Sequence, residues 1–470
     1  RRFAEALRSS VRALVLIPDL VEAMRGAVTE RRWQSDLRDI GGMLDRAACV
    51  LEQVRKAPPH PLTVLAGYAS AQHQLFAARG ATARMPPAPA RAPLQAISGG
   101  RLNIAYIGSH LTGHAMASAL PEIFRHHDQD RFRINIYATA EADGSAGWDP
   151  ALERYADHVT NISALAPEMQ AEHLRQQDEH LAIDLDGFLG NPQLLFRHAP
   201  APVLVNYFGF PGTCGDLHDY IVGDRVLIPA GHEKYYGESV VRMPHSYIPF
   251  DRDQDIASAP GRSEYDLPED AFVFAAHHSQ NKIAADAFDT WLTCLSRVPG
   301  SVLWLLDHGE TNRRNMIAAA RSRGVEPGRL IFAPLVPRPM HLARLPLADL
   351  YLDNTWFNAH TTAVDALWMG LPLVTSAGKA FAARVGASVL HAAGLPDLIG
   401  NSLLEMTDIA VALAYAPARL QAVREQLRSN RRTTPLFEMR RYTRYLERAL
   451  EMMATRSRER LPPAHITLTP

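Results

Sequence analysis

The stretch Asp353-Asn354-Thr355-Trp356-Phe357-Asn358-Ala359-His360-Thr361-Thr362-Ala363-Val364-Asp365 gathers residue types able to hold an anion. A short apolar run ends at Asp353, a polar loop follows, and His360, Thr361 and Thr362 stand where a helix should begin. A helix start offers N–H groups without intrahelical partners at the positive end of the dipole, which suits a pyrophosphate. The two threonine hydroxyls add donors, and Asp365, one turn further in, is placed to accept from a ribose hydroxyl. The competing reading is local: Thr361 or Thr362 is an N-cap and nothing more.

Other loops carry single residues with chemistry. Lys282 follows the run Phe272 to Ala276, after His277-His278-Ser279-Gln280-Asn281. A cation at the end of a strand can stabilise charge developing on a leaving group, often the largest catalytic contribution; a loop lysine taken alone is a solvated charge. Ile107 to Ser118 (IGSHLTGHAMAS) follows another apolar run, and a histidine there titrates near working pH and could orient or deprotonate a hydroxyl. Asp184 and Asp186 stand at the end of a third run, where a carboxylate either assists proton transfer or hydrogen-bonds loop backbone. Pro211-Gly212-Thr213-Cys214-Gly215 is either a plain turn or a loop whose backbone approaches a ligand closely. In Pro337 to Arg344 (PRPMHLAR), planar side chains could stack on a base and pair with ribose or phosphate oxygens, or simply form a solvated helix face.

The elements that must position these residues alternate. Leu102 to Ile107, Phe132 to Ala138, Leu181 to Leu185 and Val203 to Asn206 are short apolar runs, with helical patterns between the first three. A second set follows: Phe272 to Ala276, Ser301 to Leu306, Leu330 to Ala333, Asp349 to Asp353 and Pro372 to Thr375. This alternation predicts two doubly wound α/β lobes of parallel strands with a central crevice, ligands lying at the carboxyl ends of the strands. Phe250 to Ala257 (FDRDQDIA) is the candidate hinge. Residues 1 to about 84 show helical spacing through Leu37, Ile40, Leu44, Ala48 and Leu51 and again through Leu62, Leu65, Ala69 and Leu75, broken at Pro58-Pro59-His60-Pro61. Met85 to Pro93 reads as an extended linker, and Ile409 to Met453 as helical. The expected division is 1–95 helical, the possible end of a repeat array, plus linker; 96–258 and 259–432 as the two Rossmann-like lobes; and 433–470 as a terminal helix and tail.

Composition narrows the class. The net charge of −1 gives no electrostatic case for nucleic acid or an anionic membrane surface. No apolar run reaches the 18 residues of a membrane span, and the start lacks the apolar core of a signal peptide. Cys49, Cys214 and Cys294 are odd in number and far apart, which fits a reducing cytoplasm. The 20 histidines show no metal-ligand spacing, so no metal is expected. Neither lobe opens with GxGxxG or GxxxxGK[ST], which disfavours a dinucleotide-dependent oxidoreductase.

Several blocks in order carry a resemblance. Asp353 to Leu390 (DNTWFNAHTTAVDALWMGLPLVTSAGKAFAARVGASVL) is similar to the donor-binding segment of the O-linked N-acetylglucosamine transferase family, the SPINDLY-like glycosyltransferases of family 41. Phe208 to Gly215 (FGFPGTCG) resembles that family's GYPGTSG stretch, Met243-Pro244-His245 another short block, and Trp33 with Pro59-His60-Pro61 its helical region. The likeness runs from about Trp33 to Met453. It implies GT-B architecture and an inverting, metal-independent transferase that moves N-acetylglucosamine from a UDP-sugar donor to Ser/Thr of acceptor proteins or peptides. It places His360, Thr361 and Thr362 on the diphosphate, Asp365 on the ribose, Arg338, His341 and Arg344 at the uridine, and Lys282 at the departing UDP. It makes His114, rather than His110, the active-site histidine facing the acceptor, and assigns His180 as a second one. Fewer than 30 residues separate Met243 from Phe272, which leaves no room for a large inserted domain and implies a bacterial-type member. His277 to Asn281 (HHSQN) and His114 to Ser118 depart from the family pattern. GDP-fucose to Ser/Thr, UDP-glucose to Asn, or an inactive protein-binding scaffold are the alternatives.

Overall fold

The computed structural model describes residues 60–67, 70–95, 100–112, 114, 116–140, 148–190 and 192–470. The helical pattern through Leu37 to Leu51, the Trp33 and Pro58-Pro59 positions, Ala69 and Cys49 lie outside the described residues. The chain divides into two compact units, residues 71–252 with 435–470, and residues 253–434 with the N-terminal residues up to 70. The first boundary falls inside Phe250 to Ala257.

The first unit is built on β1 (Leu102–Gly108), β2 (Phe132–Ala138), β3 (His158–Asn161), β4 (Leu181–Asp184), β5 (Val203–Asn206), β6 (Tyr220–Asp224) and β7 (Ser239–Met243). The second contains β8 (Val273–Ala276), β9 (Val302–Leu306), β10 (Leu330–Ala333), β11 (Leu350–Leu352), β12 (Leu373–Ser376) and β13 (Ile399–Gly400), and β14 (Ile466–Thr467) returns to the first. The sheet orders are β14-β7-β6-β5-β4-β1-β2-β3 and β10-β9-β8-β11-β12-β13, and the strand pairs are parallel. Strands of the sheet interiors such as β4, β5, β8 and β11 are buried along their whole length, as expected for parallel strands covered on both faces. Besides the nine runs read from sequence, the described residues hold five further strands. β3 and β13 carry no apolar run, β14 has two residues, and β6 and β7 lie in a stretch punctuated by turns.

In each sheet the chain leaves the opening strand in two directions. β1 pairs with β2 on one side and β4 on the other, and β8 pairs with β9 and β11. A crevice opens at such a reversal, outside the carboxyl ends of the two strands. The loops after β1 and β4, and after β8 and β11, hold most of the candidate residues.

The helix Met439–Arg458 completes the first unit. Met439, Tyr442, Leu446, Leu450 and Met453 recur at helical spacing and are buried against the helix Pro121–His126 and strands β5 and β7. Each buried leucine stabilises by about 1.5–3 kcal/mol. Buried Glu447 accepts from the Asp128 N–H at 2.7 Å and lies 3.0 Å from His127 Nδ1, fixing the helix in register. Leu446→Ala would remove the middle of this face. No described helix is long and apolar enough to cross a membrane.

Candidate active site

The loop after β11 is fixed from within. Asp353 Oδ1 accepts from the N–H groups of Asn354 (2.8 Å) and Ala359 (2.7 Å), and Oδ2 from the Thr375 hydroxyl (2.6 Å). Burial pushes the Asp353 carboxyl up to about 7 despite those donors. Asn358 donates to the Asn354 carbonyl and accepts from the Gly386 N–H at 3.1 Å, while the Trp291 indole donates to the Asp353 carbonyl at 3.0 Å. A Cβ on Gly386 would lie 2.2 Å from Asp353 Oδ2, so the loop requires glycine there.

The loop delivers the chain into the helix Thr361–Trp368. His360, not a threonine, occupies the N-cap, and its side chain makes no capping hydrogen bond. Thr361 and Thr362 are the first two helical residues, half-buried, so neither is the N-cap of the local reading. The first turn thus keeps its N–H groups and positive end without a side-chain cap.

Lys282 reaches the same place. Its Nζ lies 4.0 Å from the centroid of Phe357, a ring that also stacks on that of His360 at 4.8 Å and 25°. The Lys282 carbonyl accepts from the Asn354 side-chain amide. No described carboxylate pairs with Lys282, and burial lowers its ammonium to about 8. Burial, with Lys282 adding to it, lowers His360 to about 3. The imidazole is therefore neutral, and Lys282 is the cation beside it. Phe357, the ring between them, escaped the sequence reading; an aromatic in a loop three residues before the helix N-cap is the signal that could have found it.

Arg338 and Asp365 come together, but onto each other. Arg338 donates to both Asp365 oxygens at 2.8 and 2.7 Å, and to Gln254 Oε1 at 3.0 Å. Burial raises the Asp365 carboxyl, and Arg338 opposes the rise. Arg344 is fully buried rather than on a solvated face. It donates to the Pro334 carbonyl (2.7 Å) and lies 3.0 Å from His341 Nδ1, its guanidinium over Tyr265 and Trp304. Arg344 thus orients His341, which burial lowers to about 3.

In the first unit the structure separates residues that the resemblance grouped. His180 precedes β4, at the amino edge of the sheet, whereas the loop containing His114 leaves the carboxyl edge of β1. His180 is buried, and its Nδ1 accepts from the Asn103 N–H at 2.9 Å, so it ties the start of β4 to β1. That placement removes it from the catalytic set. Asp184, at the carboxyl end of β4, is wholly engaged: Oδ1 accepts from the N–H groups of Asp186 and Gly187 at 2.9 and 2.8 Å, and Oδ2 lies 2.9 Å from His218 Nε2. Of its two readings, the geometry is that of a loop-holding carboxylate. Asp186 instead faces the loop after β1. It accepts from the Ser109 N–H and hydroxyl (2.6 Å) and lies 3.1 Å from His110 Nδ1. His114 is exposed, its ring 4.9 Å from that of His110, and its Nδ1 accepts from the Met116 N–H at 3.2 Å.

Pro211, Gly212 and Thr213 are buried. The Thr213 hydroxyl donates to Glu238 at 2.5 Å and accepts from the N–H groups of Gly215 and Gly237, and the Gly212 carbonyl accepts from Asn206. Thr213 therefore locks its own loop rather than offering a hydroxyl outward. Cys214, His218 and Glu238 hold ligand-type atoms within 4.8 Å of one another, the one such buried group among the described residues. The Glu238 oxygens already accept from Thr213, Cys214 and Asn206. No spacing motif in the sequence points to this cluster, because it is assembled by β5 and the loops around β6.

Residues 85–259 and 253–446 match the family model described as glycosyl transferase family 41. The chain is 35% identical over 358 residues to a probable UDP-N-acetylglucosamine–peptide N-acetylglucosaminyltransferase SEC of Arabidopsis thaliana, covering 74% of this chain and 36% of that protein. It is 24% identical over 485 residues to a UDP-N-acetylglucosamine–peptide N-acetylglucosaminyltransferase of Caenorhabditis elegans, covering 79% and 42%. The chain thus spans well under half the length of these relatives. Among solved structures, a mutant O-GlcNAc transferase of Thermobaculum terrenum superposes with a TM-score of 0.83 at 24% identity, covering 97% of this chain and 88% of that one. That likeness speaks for the fold.

Proposed function

The chain belongs to glycosyl transferase family 41, and from that premise we propose that it moves N-acetylglucosamine from UDP-N-acetylglucosamine to Ser/Thr hydroxyls of proteins, with inversion and without a metal. One observation carries the donor side: the first turn at Thr361 and Thr362, without a side-chain cap, shares a ring, Phe357, with the ammonium of Lys282, which no described carboxylate pairs. A diphosphate bound there receives the helix N–H groups and threonine hydroxyls, and Lys282 neutralises charge on the departing UDP in place of a metal. The Arg338–Asp365 pair supplies the ribose contact, with His341 beside it.

At the reacting centre the acceptor oxygen attacks the anomeric carbon from the face opposite UDP. The bond to the β-phosphate oxygen breaks with its electron pair leaving on UDP, and the hydroxyl proton passes to a base on the acceptor side. His114, on the loop after β1, is the residue that the family resemblance assigns to the acceptor. We place the reaction in the cytoplasm, a reading supported by the three widely spaced cysteines of the sequence.

The test is turnover of UDP-N-acetylglucosamine with acceptor proteins, wild type against Lys282→Ala. The reading expects transfer by the wild type and loss of about 10³-fold or more in the variant. Thermal stabilisation by UDP, UDP-N-acetylglucosamine, UDP-glucose and GDP-fucose is compared in parallel. Stabilisation by GDP-fucose alone overturns the donor, sugar on Asn overturns the acceptor, and donor binding without turnover makes the chain a binding scaffold.

A further inference from the structure

We propose that Cys214, His218 and Glu238 bind a zinc ion inside the first unit, where it pins the loop Pro211 to Gly215 to the carboxyl end of β4. The inference stands apart from the transfer reaction proposed above and asks nothing of it.

The three side chains come from separate places in one unit. Cys214 and His218 stand in the loop between β5 and β6, and Glu238 directly precedes β7. Their ligand-type atoms lie within 4.8 Å of one another. Cys214 is wholly buried, Glu238 is 2% exposed and His218 5%. Zinc bonds of about 2.0–2.3 Å in a tetrahedron hold ligand atoms roughly 3.5 Å apart, so a side-chain adjustment of about 1 Å closes the cluster on an ion.

The His218 ring is what points to a ligand. Its Nε2 lies 2.9 Å from Asp184 Oδ2, and a carboxylate only accepts, so Nε2 carries the proton. In the neutral ring Nδ1 then holds a lone pair, buried and with no hydrogen-bond partner among the described residues. A buried polar atom without a partner is costly, and a bound cation removes that cost. With Nε2 committed to Asp184, Nδ1 is the atom His218 can offer to the cluster. A carboxylate on the far nitrogen is also how a metal-bound imidazole is oriented and made more basic. Asp184 is held to this task by the N–H groups of Asp186 and Gly187 on its Oδ1, so it is a positioning residue.

Glu238 keeps one acceptor position. Its Oε1 accepts from the Asn206 amide at 3.2 Å and the Cys214 N–H at 2.7 Å, and Oε2 from the Thr213 hydroxyl alone. One lone pair of Oε2 therefore remains. Cys214 is in no disulfide. Burial, then the charges of Glu238 and Asp184, push its thiol well above the ordinary value, and the Phe188 backbone N–H opposes the rise. A Cβ on Gly187 would lie 3.1 Å from Cys214 Sγ and 2.5 Å from the Phe210 Cβ, so the loop after β4 closes over the sulfur.

Binding is an exchange. The thiol proton leaves to solvent as the sulfur–zinc bond forms. Thiolate and carboxylate together cancel the two charges of the ion, and the neutral imidazole adds none, so the buried site is electrically balanced. Sulfur and imidazole select zinc over magnesium or calcium, which take oxygen ligands. Three protein ligands leave the fourth tetrahedral position to a water.

The experiment reads the metal content of the full, untagged chain, produced with zinc in the medium and then passed over a weak chelator. Wild type is compared with Cys214→Ala, His218→Gln, Asp184→Asn and Cys294→Ala, the last a buried cysteine of the second unit. The wild type should hold about one equivalent of zinc. Cys294→Ala should keep it, and Cys214→Ala and His218→Gln should lose at least tenfold. Asp184→Asn should release zinc to a competing chelator about 10–100-fold more readily. Protein grown in cobalt instead should show a thiolate-to-cobalt charge-transfer absorption. Circular dichroism establishes which variants fold, and where Cys214→Ala does not, the cobalt absorption of the wild type decides in its place. A wild-type chain without zinc, a cobalt form without the thiolate absorption, or zinc kept in full by folded Cys214→Ala overturns the site. None of these measurements involves sugar transfer, so their failure leaves the transferase proposal standing.

Discussion

Arg338 holds both oxygens of the buried Asp365 carboxylate, at 2.7 and 2.8 Å across 27 residues of sequence. Asp365 is 4% exposed and Arg338 28%, so the carboxylate has given up its water for this one partner. Removing Arg338 leaves a buried charge unpaired, whereas removing both leaves none. Arg338→Ala should therefore cost about 1–3 kcal/mol after allowance for Arg338's partial exposure. Arg338→Ala/Asp365→Ala should cost less than the sum of the single changes. Urea unfolding of the double-mutant cycle measures the coupling, and calorimetry with UDP should show at least tenfold weaker binding in each variant.

Lys282 carries an opposing demand of stability and binding. Its native ammonium titrates near about 8, below the 10.5 of a free lysine, so below pH 8 the folded state bears a charge that burial disfavours. That cost disappears as pH rises from about 8 to about 10.5. Lys282→Met should raise stability by about 1 kcal/mol at pH 7 and by nothing above pH 11, while abolishing transfer. Thermal melts at the two pH values check the sign.

The same lysine should take up a proton when the donor binds. At pH 8 about half the population is neutral by the value above, and a diphosphate favours the charged form. Calorimetry of UDP binding in buffers of different ionisation enthalpy should show net uptake at pH 8 to 9, absent in Lys282→Met and vanishing near pH 6.

Gly386→Ala tests the loop itself. The added Cβ would meet Asp353 Oδ2 at 2.2 Å and the Thr375 hydroxyl at 2.8 Å, displacing the carboxylate that holds the Ala359 N–H. An overpacked core position costs about 1–3 kcal/mol, and the displaced helix start should weaken UDP binding beyond that seen for Gly328→Ala, which faces open space. Equal affinities for the two variants would separate the loop from the donor site.

Acid should weaken the second unit. Burial holds His360 and His341 at about 3 and His278 at about 4, so between pH 6.5 and 4 the unfolded chain binds protons that these native imidazoles refuse. Asp353, pushed up to about 7, works the other way, and so does Asp365, whose carboxyl is also raised. His277 and His308 are lowered by burial as well, so five imidazoles oppose two carboxylates and stability should fall as pH drops from 6 to 5. His341→Gln should flatten that slope in urea titrations.

Local pattern exposed much of this. The nine apolar runs became strands because fully buried parallel strands are continuous apolar segments, and the helix start at His360 shows in its neighbours because capping is a matter of adjacent residues. β3 and β13 escaped because an edge strand need not be apolar. Local pattern leaves a solvated face open for Arg344 beside its uridine assignment, because its residue type is usually exposed, and only the rings of Tyr265 and Trp304 show why it is buried. His180 was placed by likeness to a motif, which records identity and not which edge of the sheet a residue occupies.

The segment around His360, the loop position of Lys282 and the two α/β lobes were determined by sequence alone, because each depends on residues close along the chain. Which side chain faces which was decided only in three dimensions. Asp186 meets His110 across 76 residues because β4 lies beside β1, and Lys282 meets the loop of His360 because β11 lies beside β8. Strand order follows from how whole helices and strands bury one another, and no local spacing encodes it.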